Sequence, residues 1–296
     1  MERISFIGFG EAAFHIAKGL HDESFPIMNA FDEAQNSKER GEIIRTRAEC
    51  VGVQLVESMQ DACMTSDIII SLTNARVAFN VAHSVIPLLK KGQIYVDMNS
   101  ASPKTKIAID SINRQDGVLI CDAAIMGTVP GTNHRTPMLL AGSGAQEFCD
   151  YMTPYGMVLT VLNSTAGSAS AIKLLKSIIM KGLPQLMFES FEAAEKYGVL
   201  EILIDSLNSS LSGKNVEQLA DVLMARTMIH ANRRREEMRD VLDMLEDIKI
   251  DATMTKAIIN RLDKMAAENW QSTLGANGGE KGFQEVIEVI TKQHNT

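Results

Sequence analysis

RISFIGFGEAAFHIAKGL, residues Arg3 to Leu20, is the stretch that decides the fold. A short β-branched and aromatic run, Ile4 to Ile7, feeds Gly8-Phe9-Gly10-Glu11-Ala12-Ala13, and apolar residues then recur at helical spacing through Ile16, Ala17 and Leu20. A strand passing into a helix through GxGxxA has a mechanical reading. The first glycine permits the tight turn, the second lets a phosphate approach the backbone, and Ala13 keeps helix and strand close. The helix N-terminus then offers free N–H groups and the positive end of its dipole to an anion. A second apolar run, Ile27 to Phe31, ends at Asp32, 22 positions after Gly10, where a carboxylate can accept from the ribose 2′-hydroxyl of an adenine dinucleotide. Gly8, Phe9, Gly10, Glu11, Ala12 and Asp32 are therefore expected to hold NAD or NADP. Asp32 and Glu33 repel a 2′-phosphate, whereas Ser37, Lys38 and Arg40 follow closely enough to bind one. The expectation favours NAD and leaves NADP open.

Working outward, strand-like runs continue at Val51 to Val56, Ile68 to Leu72, Ile94 to Met98, Val118 to Cys121, Met138 to Leu140 and Val158 to Leu162, alternating with helical stretches. That alternation predicts a doubly wound, mostly parallel sheet covered by helices, an α/β Rossmann domain over residues 1–164. Ser58 with Asp61 makes a capping-box pattern, and Ser102 before Pro103 places a cap and a preset φ at a helix entry. From residue 165 to 296 strand alternation disappears and apolar residues recur at helical spacing, which predicts an all-α C-terminal domain. Ser168 to Tyr197 is apolar on most sides, as expected of a helix buried between domains or subunits.

The chain has 296 residues, 45% of them hydrophobic, and a formal net charge of −8 from 37 acidic and 29 basic side chains. No overall positive field exists to attract nucleic acid or anionic lipid. The opening stretch resembles a secretory signal, but Glu11, His15 and Lys18 interrupt it; Lys173, Lys176 and Lys181 break the longest apolar run, so no membrane span is expected. Cys50, Cys63, Cys121 and Cys149 lack a CxxC pair or a histidine at ligand spacing, and read as buried thiols in a reducing cytoplasm rather than disulfides or a metal site. His15, His21, His83 and His134 show no triad or metal spacing.

The glycine loop, VDMNSASP at 96–103, DAAIMGTVPG at 122–131 and GSASAIK at 167–173, in this order and spacing, resemble the β-hydroxyacid dehydrogenases, the family of 3-hydroxyisobutyrate and 6-phosphogluconate dehydrogenases. HANRRREEM at 230–238 resembles an arginine-rich helix in one branch of that family. The resemblance implies a Rossmann domain followed by a helical domain through which subunits interlock, as a homodimer or homotetramer, with the site between the domains. It implies that Lys173 is catalytic, that Ser100 lies near nicotinamide and substrate, and that Thr73 and Asn74 run beside the cofactor. The family's SGG substrate loop reads Met126-Gly127-Thr128 here, and its asparagine one turn after the lysine is Ser177.

Hydride transfer from a carbinol carbon needs a group that exchanges the hydroxyl proton as the carbonyl forms. Lys173 can do this if burial on an apolar helix lowers its pKa. Lys173, Lys176, Ser177 and Lys181 share one helical stripe, and Ser177, one turn on, can bond the lysine or the substrate. Ser100 projects at a strand's carboxyl end, where such sheets bind ligands, whereas Ser102 reads as a cap. Arg235 can clamp a substrate carboxylate or phosphate by paired hydrogen bonds, or belong to a solvated, salt-bridged face. The expected substrate is thus a small hydroxy acid or its keto form, oriented by Ser100, Met126, Gly127, Lys173 and Arg235, with Lys173, Ser100 and Ser177 in the catalytic group. Two alternatives stay open: reduction of an imine or other carbonyl on the same scaffold, and a dinucleotide sensor without turnover.

Overall fold

The computed structural model describes residues 3–268, 270–275 and 278–294. Its first half runs β1 (Arg3–Ile7), α1 (Glu11–Asp22), β2 (Ile27–Phe31), α2 (Gly41–Cys50), β3 (Gln54–Leu55), α3 (Met59–Thr65), β4 (Ile68–Ser71) and α4 (Ala78–Val85). It continues through β5 (Ile94–Asp97), α5 (Pro103–Asp110), β6 (Leu119–Ile125), β7 (Met138–Ala141), α6 (Ala145–Met152) and β8 (Leu159–Val161). The remainder is helical: α7 (Ser168–Lys196), α8 (Leu200–Leu211), α9 (Val216–Ile229), α10 (Ala231–Asp247), α11 (Thr253–Ala266), α12 (Trp270–Leu274) and α13 (Phe283–His294).

The eight strands form one sheet in the order 3-2-1-4-5-6-7-8. All neighbours pair in parallel except β6 and β7. Strands β4, β5 and nearly all of β1 and β6 are buried on both faces, which is why they read as continuous apolar runs rather than alternating ones. The order reverses between β1 and β4, so the crevice at their carboxyl ends is where a doubly wound sheet takes ligands.

The helix entries follow their sequence signals. Ser58 accepts from the Asp61 amide ahead of α3, and Ser102 accepts from the Thr105 amide with Pro103 in the first turn of α5. Two strands differ from expectation. Val51 to Val56 contributes only Gln54–Leu55, because Val51 still closes α2 and Gly52 turns with φ +65°. Strand β6 runs on to Ile125 through Ala123 and Ala124, residues of weak β propensity that pair with Leu140 and Leu139 of β7. Their small side chains have a packing role: Ala124 and Ala141 on the sheet and Ala169 on α7 form one buried cluster.

Two compact units divide inside α7, Met1–Ile178 and Ile179–Thr296, so the helix start beyond residue 164 groups with the sheet. In the second unit α10 and α11 pack together, and Glu189 of α7 caps α11 by accepting from the Met254 and Thr255 amides at 2.7 and 2.9 Å. The long α7 matches its predicted span, but in the single chain it is not buried: Leu175, Ile178, Ile179 and Phe188 are exposed. The cysteines also need correcting, since Cys63 and Cys121 are buried but Cys50, at the end of α2, is exposed and Cys149 half-buried. Burial pushes the Cys63 thiol up to about 12, which makes it a poor thiolate. No helix among the described residues is long and apolar enough to cross a membrane.

Candidate active site

The glycine loop has the predicted shape for two distinct reasons. Gly8 has φ +89°, and a Cβ there would lie 2.6 Å from Thr73 Cγ2 and 2.7 Å from the Leu72 carbonyl, so only glycine fits. Around Gly10 nothing stands within 4 Å of the place a Cβ would occupy. Gly10 is the N-cap of α1, and no side chain caps the first turn, which leaves the helix N-terminus beside this space without a side-chain acceptor. The cleft ahead of it, about 680 Å³, is lined by Gly8, Gly10, Asp32, Glu33, Ser37, Arg40, Thr73 and Asn74. A volume of that order with unsatisfied donors at a helix N-terminus fits a dinucleotide.

Asp32 does more than face this cleft. Its Oδ2 accepts from the Phe9 amide and its Oδ1 from the Ala34 amide, each at 2.8 Å, so the carboxylate ties the glycine loop to the end of β2. Each oxygen keeps a further lone pair for a ribose hydroxyl. Phe9, expected among the cofactor contacts, has its ring fully buried against Phe6 and its amide committed to Asp32. Thr73 donates through its amide (2.7 Å) and hydroxyl (3.2 Å) to Asn99 Oδ1. Asn74 Oδ1 accepts from the Arg76 amide, shaping the same loop.

At the carboxyl end of β5, Lys173 Nζ donates to Ser100 Oγ at 2.7 Å, joining residues 73 positions apart. Both lie in the first unit. Met126 packs on the alanine cluster that includes Ala169, one turn before Lys173 on α7. At Gly127 a Cβ would meet Thr136 Cγ2 at 3.3 Å, so the loop after β6 packs closely there. Ser177 Oγ donates to the Lys173 carbonyl at 3.1 Å, so its proton goes to the helix backbone rather than toward the ammonium. Arg235 belongs to an ion-pair cluster on α10 and α11: its guanidinium meets Glu236 at 2.7 Å and Asp263 at 3.3 Å. The Glu236 hydrogen bond raises the Arg235 pKa, and the same bond lowers that of Glu236.

Beneath this surface lie residues that the sequence reading did not single out. Asn99 holds Thr73 through its carbonyl oxygen, and its amide nitrogen donates to Ser71 Oγ at 3.0 Å. Asp97 Oδ1 accepts from the Asn99 amide at 2.9 Å. Asp122 Oδ2 accepts from the Gly167 and Ser170 amides, at 2.9 and 3.2 Å, and its Oδ1 from the Ser170 hydroxyl at 2.8 Å. Lys106 stands between the two carboxylates, 3.4 Å from Asp97 Oδ2 and 3.1 Å from Asp122 Oδ1, with all three side chains 1% exposed. A charged residue ending each of the apolar runs IYVD and LICD was the available signal. Among the described residues no group of three His, Cys, Asp or Glu side chains is placed to hold a metal ion.

Comparison with known proteins agrees with this fold. Residues 3–168 match the family described as the NAD binding domain of 6-phosphogluconate dehydrogenase, and residues 194–265 match a domain of unknown function, DUF1932. An uncharacterized 28.5 kDa protein of Methanothermus fervidus is 29% identical over 259 residues, 87% of this chain and 96% of that protein. A conserved protein of unknown function, solved and described as structurally similar to 3-hydroxyacid dehydrogenases, is 31% identical and covers 90% of this chain and 97% of its own, with TM-score 0.61. A variant imine reductase from Myxococcus stipitatus in complex with NAD+ shares the fold at TM-score 0.73 and 18% identity, over 98% of this chain and 99% of that one.

Proposed function

The chain belongs to the β-hydroxyacid dehydrogenase family built on the NAD binding domain of 6-phosphogluconate dehydrogenase, and from that premise we propose that it is an NAD(P)-dependent oxidoreductase acting on a small hydroxy acid or its keto form. The observation that carries this reading is the 2.7 Å bond between Lys173 Nζ and Ser100 Oγ, in the same unit as the glycine-loop cleft.

In this reading the backbone of Gly10, Glu11 and Ala12 holds the pyrophosphate, Asp32 the adenine ribose, and the Thr73–Asn74 loop flanks the rest. The nicotinamide supplies a hydride acceptor or donor when bound. Lys173 exchanges the proton on the substrate hydroxyl oxygen as the carbonyl forms, and Ser100 holds the ammonium and the substrate oxygen in one geometry. Gly127 and Met126 shape the loop against which the substrate lies. Asp32 and Glu33 in the cleft support NAD; Ser37 and Arg40 on the same wall are the groups that would admit NADP. Arg235 is left out of the proposed site because its guanidinium is already committed to Glu236 and Asp263.

A second reading, imine reduction on the same scaffold, is favoured by Met126 standing where the family carries a hydroxyl. Lys173 weighs against it, since related imine reductases usually replace that lysine. The test is nicotinamide absorbance during incubation with a panel of hydroxy acids, keto acids and cyclic imines, each with NAD and NADP, for the native protein and Lys173→Ala. Hydroxy-acid turnover reduced about 1000-fold in the variant, with cofactor affinity kept, is expected. Turnover of imines alone would replace the proposal with the second reading. Cofactor binding without any turnover would favour a dinucleotide sensor.

A further inference from the structure

The parallel register of β5 and β6 sets Asp97 directly beside Asp122. Two carboxylates at adjacent sheet positions repel, and neither is open to water. The cation between them comes from α5: Lys106 Nζ, 1% exposed, donates to the Asp97 carbonyl at 2.7 Å and pairs with both carboxylates. Each carboxylate has a second task. Asp97 holds the amide of Asn99, the residue before Ser100, and Asn99 in turn holds Thr73 of the cofactor loop. Asp122 holds Gly167 and Ser170 at the start of α7, one turn before Lys173.

We propose that Lys106 is a positioning residue: by fixing Asp97 and Asp122 to one ammonium, it sets the Ser100 loop and the Lys173 helix in register with each other. Its role as an aid to catalysis rests on the reading of Lys173 as the acid/base group; the mechanical link between the two segments does not. The bonds of Lys106 run to Asp97 and Asp122, so its effect passes through the backbone that the two carboxylates hold. A displacement of about 1 Å between reacting groups can lower turnover about 100-fold without weakening binding.

The experiment compares the native full chain with Lys106→Met, which keeps the volume and removes the charge, and with the charge-balanced pair Lys106→Met/Asp97→Asn. A milder variant, Ser170→Ala, removes one bond to Asp122, leaves all three charges, and serves should Lys106→Met fail to fold. Two quantities are read: kcat and KM on the substrate found above, and hydrogen–deuterium exchange in the peptides covering residues 97–106 and 165–175. The expected result for Lys106→Met is a kcat about 100-fold lower, cofactor affinity within twofold of native, and faster exchange in both peptides together. Recovery of about tenfold of kcat is expected in the charge-balanced pair, and a loss of about threefold in Ser170→Ala. Native kcat in Lys106→Met, or exchange that rises in one peptide only, overturns the proposal. If the native protein turns over no substrate, the reading of Lys173 fails, while joint or separate loosening of the two peptides still decides whether Lys106 couples them.

Discussion

The chain carries two clusters of opposite charges that look alike on paper and differ in every physical respect. In the first unit Lys106 meets Asp97 and Asp122 with all three side chains 1% exposed. In the second, Arg235 and Arg239 meet Glu236 and Asp263, with side chains 24 to 56% exposed. Water and salt screen the second cluster, and its side chains give up rotamer freedom to hold one arrangement, so it adds little to stability. The first cluster lost its hydration on folding and recovers that loss only while every partner is present. Buried charge is therefore costly to disturb and useful for fixing backbone; exposed charge is neither.

The largest expected effect follows from removing one buried partner. Asp122→Ala leaves Lys106 with a single carboxylate and frees the first-turn amides of α7, and should cost about 3–5 kcal/mol in urea unfolding. A loss under about 1 kcal/mol would erase the contrast between the clusters. His134 sharpens it from another side, being 3% exposed but ionisable. Burial lowers its pKa, helped by Arg135 and opposed by Glu23 and Asp22. The neutral form is thus the one the fold favours: this stability is fully present above the ordinary histidine value near 6.5 and is lost as pH falls through it. His134→Gln should reduce the stability lost between pH 8 and pH 5, measured by urea unfolding at both values. An unchanged difference would mean that His134 takes up a proton as readily in the folded state as in the unfolded one. The smallest effect belongs to the exposed cluster. A double-mutant cycle of Arg235→Ala and Asp263→Ala should give a coupling below about 1 kcal/mol, falling toward zero in 0.5 M salt. A coupling that survives the salt would show that exposure misjudges this pair.

The same contrast explains what could be read from the sequence. The glycine loop, Asp32 and the caps at Ser58 and Ser102 act within one turn or one strand–helix passage, so their chemistry is legible locally. The Arg233-to-Glu237 run is likewise recognisable as an ion-paired face. Lys106 was not legible, because PKTKIAID reads as the wet, lysine-bearing side of a surface helix. Its partners lie on two different strands, and only the parallel register that sets Asp97 beside Asp122 makes a buried cation necessary. The exposure of α7 in the single chain has a related reason: an apolar pattern says that a face would gain from cover, between domains or subunits, not that the single chain supplies it. Strand β6 was cut short at Cys121 because Ala123 and Ala124 carry almost no strand signal, although their size is what admits Ala169 of α7.

Gly19, on α1, has no room for a side chain, because a Cβ there would overlap the buried ring of His134. The two positions, 115 apart in the chain, are thus a single heritable character. An alanine or serine at 19 becomes tolerable only after the residue at 134 has shrunk, and a large ring at 134 locks 19 as glycine. Among descendants of one ancestor the pair should change in that order or not at all, and a lineage that has lost the ring is the one free to vary at 19.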